Sequence, residues 1–314
     1  MEEPKSKAKR GAKTAAAAQE NKITLLPLSE LHDFPNHPFK VRDDEAMQET
    51  AESIRQYGVL VPAIVRPRKD GGYEIIAGHR RRHGSELAGL SAMPCIVRQM
   101  DDDTATILMV DSNIQRENIL PSERAQAYKM KLEAMKRQGQ RTDLTSSPLD
   151  NKLKGVTAAQ QISRDSGDSQ PQIYRYIRLT HLIPEILELV DNSVLKDQEM
   201  LQIAMRPAVE LSYLRKEEQA DLFAIMDEMD CTPSHAQAIK MRQMSEAKTG
   251  GERLAKDALV SIMKEEKPNQ KEQFKIPKEK ISRFFAPGTP TQKIEDTIVK
   301  ALELYRKRQR SLER

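Results

Sequence analysis

The sequence predicts a multi-domain α+β chain: an N-terminal mixed α/β domain, a central all-α helix–turn–helix domain, and a small C-terminal helical module. Three observations predict it. Between residues 23 and 138, β-branched runs alternate with stretches of helical periodicity. From Val156 to about Met244 every segment has helical spacing and none reads as a strand. The composition is 31% charged and 4% aromatic with no Trp, which suits several small Leu/Ile/Met/Ala cores in a chain of 314 residues.

The elements follow in order. Residues 1–22 are Lys/Ala-rich, lack periodicity and read as a disordered basic tail. ITLLPLSELH from Ile23 is a strand followed by a turn or short helix. Asp43 to Tyr57 has helical spacing with acids in its first turn, where the helix dipole favours them, and Gly58 is its C-cap. VLVPAIVRP is a strand, KDGG a turn, and YEIIAG a second strand of that hairpin. HRRRHGSELAGL is a helix, MPCIVRQM another strand, and Asp103 to Gln115 another helix. After Pro121 a helix opens with Ser122 as cap. About four strands are thus expected in a domain spanning 23–138. Residues 139–155 gather Gly, Ser, Pro and Asp and read as a linker. The helix–turn–helix domain spans 156–244, a polar and partly helical connector 245–273, and the C-terminal module 274–314. In that module Ile294, Ile298, Leu302 and Tyr305 form one stripe, the mark of a partner-helix or docking face.

Composition excludes some classes. No run approaches the ~18 apolar residues of a membrane span. The N-terminal apolar stretch, Ala15 to Ala18, is too short for a signal-peptide core. Cys95 and Cys231 are far apart and lack zinc-site spacing. A cytoplasmic protein with reduced thiols is the expectation.

Three stretches bear on chemistry. The first is strand–Gly–helix at Gly78, with Arg80, Arg81 and Arg82 in the first turns of the helix. Cations there oppose the macrodipole and are better placed with an anion such as phosphate between them. A solvated basic face is the bland alternative, and neither a Walker A ending nor GxGxxG is present. The second is the polar cluster Asn113, Gln115, Arg116, Glu117 and Asn118 at a break between helices, which by itself reads as ordinary capping. The third is 157–179. Thr157 caps a helix that turns Ala158, Ala159 and Ile162 inward, Gly167 makes the turn, and a second helix from Ser169 keeps Ile173 and Ile177 for the core. It exposes Gln170, Gln172, Tyr174, Arg175 and Arg178, with no acid between 169 and 179. Gln suits adenine edges and Arg suits guanine edges or phosphates, so double-stranded DNA outranks a plain helical hairpin. His79 and His83 are i, i+4, a metal spacing with no third ligand and with flanking arginines that disfavour a cation.

Read together and in order, HPFKVRDDEAMQETAESIRQYGVLVPAIVRP, YEIIAGHRRRHGSELAGL, NIQRENILPSERAQAY and the helix–turn–helix resemble the ParB/RepB-type family of DNA partition proteins, in its plasmid or mobile-element branch. The resemblance runs from about Ile23 to Met244. It implies a ParB/sulfiredoxin-like N-terminal fold that binds CTP, and a homodimer that clamps DNA loaded at a centromere-like, parS-like site. It also implies a ParA-type ATPase partner, with residues 1–22 the candidate contact, and nucleoid association. The family's Gly-Glu-Arg-Arg box matches Gly78-His79-Arg80-Arg81, which assigns those residues to the triphosphate. The Glu-Asn-x-Gln-Arg motif matches Ser112-Asn113-Ile114-Gln115-Arg116, which assigns Asn113 and Arg116 to the nucleotide and Asn113 to Mg²⁺. The Asn-Pro-x-Gln-Pro-Arg motif matches His37-Pro38-Phe39-Lys40-Val41-Arg42, which adds Lys40 and Arg42.

The departures change the chemistry. His79 and Ser112 stand where the family has Glu, and Lys40 adds a cation, so a dication gains less here. Nucleotide binding is expected to survive more readily than metal-assisted hydrolysis. Two alternatives stand beside this reading: a transcriptional regulator of a mobile element on an operator site, and a phosphotransferase or nuclease of the same fold. The net charge of +4 conceals a distribution. Residues 1–22 carry +3 and 300–314 carry +4, leaving the body at −3, with its cations gathered at the Gly78 turn and along 169–179.

Overall fold

In the computed structural model the described residues are 22–116, 119–145, 157–195, 200–248, 252–265 and scattered positions between 284 and 305. They fall into two units, Met1–Glu265 and Glu266–Arg314. The tail expected at 1–22, the proposed linker beyond Thr145 and the RKRQR ending lie outside the described residues, apart from position 22.

The N-terminal part is a five-stranded sheet with helices. β1 (Ile23–Pro27) and β2 (Leu31–His32) are followed by α1 (Glu45–Tyr57), then β3 (Ala63–Pro67) and β4 (Tyr73–Ala77). α2 (His79–Leu87), β5 (Ala92–Val97) and α3 (Asp102–Asp111) complete it. The strand order is β1-β5-β3-β4-β2. β3 and β4 form the expected antiparallel hairpin, with Val65 opposite Ile75. β3 runs parallel to β5, with Ile64 opposite Ile96. Five strands stand where about four were expected. The extra one, β2, has two residues and pairs through Leu31↔Tyr73, too short to leave a period-2 signal. α1 begins later than expected because Asp44 is its cap, its carboxylate accepting from the Met47 N–H at 2.9 Å. Gly58 ends it at φ 72°.

The helical part begins with α4 (Pro121–Thr145) and continues with α5 (Ala158–Ser166), α6 (Gln170–Leu179) and α7 (Pro184–Leu195). α8 (Met205–Leu211), α9 (Lys216–Met229), α10 (His235–Glu246) and α11 (Lys256–Met263) follow. The α5–α6 unit matches its sequence signals closely. Thr157 and Gln160 form a reciprocal capping box, Gly167 makes the left-handed turn at φ 79°, and Ser169 is the N-cap of α6.

Three expectations need correction. Ser122 does not cap α4, which starts one residue earlier. Instead Ser122 donates from its N–H and its hydroxyl to the two carboxylate oxygens of Asp191 on α7, at 2.9 and 2.5 Å. The boundary drawn at 138 falls inside α4. That helix serves both parts, because one core gathers Phe39 and Ile76 from the sheet side, Met109 from α3, Tyr128 and Leu132 from α4, and Ile162 and Ile173 from the helix–turn–helix. The connector from 245 contributes to the core at several of its described positions up to 265. Leu254, Leu259, Ile262 and Met263 are buried against α9 and α10. The buried Glu218 accepts from the Leu254 N–H at 2.7 Å. Burying that carboxylate and those apolar groups requires the chain through 265. In the second unit, Ile294 and Ile298 are half-buried and Tyr305 is exposed, while Leu302 of the same stripe lies outside the described residues.

Candidate functional site

The turn after β4 is built around Gly78, the N-cap of α2, at φ 121°. A Cβ there would lie 2.8 Å from the Ala63 Cβ on β3, so the strand end can pass this close only without a side chain. Gly78 thus brings the start of α2 beside the 39–46 segment and the end of α3. Between them lies a cavity of about 400 Å³ lined by Lys40, Arg42, Arg80 and Arg116, with Asp44, Glu123, Phe39, Ala46 and Ile119. Four cations expected to act together, from three separate stretches of sequence, do share one pocket.

The two carboxylates of that pocket are committed to backbone N–H groups rather than to the cations. Asp44 caps α1. Glu123 accepts from the Lys40 N–H at 3.0 Å and the Leu120 N–H at 3.2 Å. Arg80 donates only to the Ala46 carbonyl, at 3.2 Å, among the described residues. Burial, and Arg80 nearby, hold Arg116 below its ordinary pKa. Like-charged guanidiniums this close are stabilised by an anion between them.

Other expected residues lie elsewhere. Arg81 does not line this cavity. Its guanidinium donates to the Val61 and Pro62 carbonyls, both at 2.7 Å, and fixes the loop before β3. Arg82 pairs with Asp33 at 3.0 Å and Glu86 at 3.1 Å. His79 is buried at 7% exposure under His37, with ring centroids 3.8 Å apart. Neither Nε2 of this pair has a hydrogen-bond partner among the described residues. Burial first, then His37, Arg116 and Arg82, push the His79 pKa down to about 3, so the ring is neutral. His83 bonds Asp43 at 2.5 Å, so the His79–His83 pair makes no common metal site. Asn113 is buried and its amide donates to the Met109 carbonyl at 2.8 Å and the Ser112 hydroxyl at 3.1 Å.

These donor sets distinguish the groups the site fits. Four cations and a glycine turn fit a polyanion such as a triphosphate. A resident Mg²⁺ needs several free oxygen ligands, and here Glu123 holds an N–H on each carboxylate oxygen while Asp44 holds one on Oδ1. Among the described residues, no group of three or more His, Cys, Asp or Glu could hold a metal. Burial pushes the Cys95 thiol up to about 11, which makes it a poor nucleophile at neutral pH.

The second candidate surface is α6. Ser169, Gln172, Tyr174 and Arg175 are exposed, and Gln170 is half-exposed. Ile173 faces the core at 0% exposure. Arg178 departs from the expectation. It donates to the Ser212 hydroxyl at 3.0 Å and the Ser212 carbonyl at 2.9 Å and lies over the Tyr213 ring at 3.8 Å. Arg178 therefore braces the end of α6 against the turn after α8. Asp168, the acid just before the helix, is held by Arg124 at 3.1 Å and by the Tyr128 hydroxyl, so its charge is locally compensated. Beside Gln172 and Arg175 a cleft of about 610 Å³ is lined also by Arg206 and His235.

Two residues beside this site were assigned no role from sequence. Glu123 lies within the SERAQAY stretch, and His37 stands where the family's motif has Asn. Their partners are 83 and 42 positions away.

The family model for the ParB N-terminal domain matches residues 12–114. The chain is similar to the chromosome-partitioning protein Spo0J of Thermus thermophilus, 32% identical over 169 residues, 54% of this chain and 55% of that protein. It is similar also to the stage 0 sporulation protein J of Bacillus subtilis, 34% identical over 176 residues, 56% of this chain and 55% of that protein. The aligned part spans about half the length of these curated relatives. Two crystal structures of C-terminally truncated ParB from Caulobacter crescentus also match. The one complexed to the centromeric parS site is 22% identical, covering 70% of this chain and 99% of that one, at a TM-score of 0.38. The one complexed with CTP-gamma-S is 24% identical, covering 65% and 97%, at a TM-score of 0.29. Both scores describe loose overall superpositions. No helix among the described residues is long and apolar enough to cross a membrane.

Proposed function

We propose that this chain, which is of the ParB type by its N-terminal domain at residues 12–114, is a sequence-specific DNA-binding partition protein. It loads as a dimer on a parS-like site and switches with CTP bound in the pocket at the Gly78 turn. One observation carries the reading: a single continuous unit holds both a four-cation pocket and an acid-free recognition face on α6. The pocket takes the triphosphate through Lys40, Arg42, Arg80 and Arg116. The face takes the major groove through Gln172, Tyr174 and Arg175, with Ser169 and Gln170 at the helix entrance. Arg81 acts on the 61–62 loop rather than on phosphate. Asn113 acts through backbone contacts, and any Mg²⁺ enters with the nucleotide's own phosphates. A ParA-type ATPase is the implied partner.

The test is capture of genomic and plasmid DNA by the protein, sequenced with and without CTP. A footprint that extends beyond a discrete recognition site only with CTP is expected. A compact footprint indifferent to nucleotide would overturn partition in favour of a transcriptional regulator. For the recognition helix, Arg175→Ala should weaken binding and Gln172→Ala should relax sequence choice. Each effect should be about 1–3 kcal/mol, and total affinity should depend steeply on salt. Titrations of cognate and shuffled duplexes at two salt concentrations check both; wild-type behaviour of both variants would remove α6 from the interface.

A further inference from the structure

We propose that Glu123 is the positioning residue of the anion pocket; this rests on the reading of that pocket as a phosphate site. The puzzle is a matter of sign. Glu123 lines a cavity with Lys40, Arg42, Arg80 and Arg116, where a phosphate would be repelled by a carboxylate. By charge alone, Glu123 opposes the ligand.

Its hydrogen bonds give it a different task. Glu123 is 7% exposed, and each carboxylate oxygen holds one backbone N–H: Oε1 that of Lys40, Oε2 that of Leu120. The Leu120 bond is local and fixes the entry to α4. The Lys40 bond crosses 83 positions and pins a segment with no regular secondary structure. That segment is anchored on one side by Phe39, buried at 3% exposure, and it carries Lys40 and Arg42 into the cavity. Charge-assisted bonds to backbone N–H groups are strong and directional, so Glu123 sets where two of the four cations project. Its neighbours hold the same turn from other sides, Ser122 on Asp191 and Arg124 on Asp168, so the turn is a rigid base for that bond.

Three groups separate position from charge. Glu123→Gln keeps the shape, removes the charge and leaves one N–H facing an amide NH₂. Glu123→Asp keeps the charge and shortens the reach. Arg80→Ala reports on the pocket itself. Binding of inorganic triphosphate and of CTP to the full chain is measured by calorimetry without divalent metal, with exchange of the Lys40 amide followed by NMR or mass spectrometry.

Both Glu123 variants should bind at least tenfold more weakly. Lys40 amide exchange should speed up by a larger factor than that of the Ile173 amide in the same variant. If Glu123→Gln binds as tightly as wild type or tighter, the carboxylate acts only by its charge and the inference is overturned. If Glu123→Gln fails to fold, Glu123→Asp decides by the same criterion. If wild type binds neither probe, or Arg80→Ala binds both as tightly as wild type, the pocket reading itself fails and this inference with it.

Discussion

Replacing Gly78 with valine should destabilise the first unit by about 2–6 kcal/mol, through backbone strain of about 1–3 kcal/mol and overpacking of about 1–3 kcal/mol. The strain arises because φ at 78 is 121°, a region that L side chains rarely adopt. The overpacking arises because the new Cβ would meet the Ala63 Cβ at 2.8 Å and the Ala63 Cα at 3.3 Å. Ala63 is fully buried on β3, whose neighbours β4 and β5 leave it no room to retreat. The same change moves Arg80 away from Lys40, Arg42 and Arg116, so triphosphate binding should disappear in whatever fraction folds. Gly89→Val is the matched control: its φ is 77°, but nothing lies within 4 Å of the added Cβ. Urea unfolding of both variants should show Gly78→Val as the more destabilised by at least about 1 kcal/mol. Equal losses would mean that the close approach to β3 carries no cost.

Acid should destabilise this protein through His79. The folded pKa of about 3 lies below the ordinary 6.5, so between those values the unfolded chain binds a proton that the folded chain refuses. Stability from this group is therefore complete above pH 6.5 and falls as pH drops towards 3, by about 1.4 kcal/mol per pH unit. His37 is shifted the same way, chiefly by burial. The groups facing the pair are the cations Arg116 and Arg82 and the acids Asp33 and Glu123. Asp33 is already paired with Arg82 and Glu123 with N–H groups, which limits what either acid offers a protonated ring. Between pH 7.5 and 5.0, wild type should lose about 2 kcal/mol more stability than His79→Gln. Parallel stability–pH curves for the two proteins would show that the ring protonates freely in the fold.

The helix–turn–helix was legible because its signals are local. Thr157 and Gln160 close a capping box three residues apart, Gly167 takes the left-handed turn, and Ile162 and Ile173 point inward at helical spacing. No distant partner is needed to read them. Four pocket cations, Lys40, Arg42, Arg80 and Arg116, were legible by motif, but their convergence required the Gly78–Ala63 approach and the β3–β4 hairpin. The two arginines placed differently, Arg81 and Arg178, show the limit of reading by residue type. A guanidinium has five donors on a long flexible stem, and nearby carbonyls compete for it with any external phosphate. Arg81 meets Val61 and Pro62, and Arg178 meets Ser212, because chain segments 20 and 34 positions away arrive there.

Sequence alone determined the succession of strands and helices, the helix–turn–helix with the inward and outward faces of α6, and the clustering of cations at two places in a nearly neutral chain. These follow from periodicity, capping and composition, which act over a few residues. Tertiary structure decided the rest. It joined the two expected domains through α4 and its shared core, carried the helical part on to residue 265, and buried His79 against His37. It also set Glu123 among cations as the anchor of Lys40. The physical reason is common to all of these. A buried charge, ring or apolar face is stable only with partners that satisfy it, and those partners come from anywhere in the chain that packing brings them.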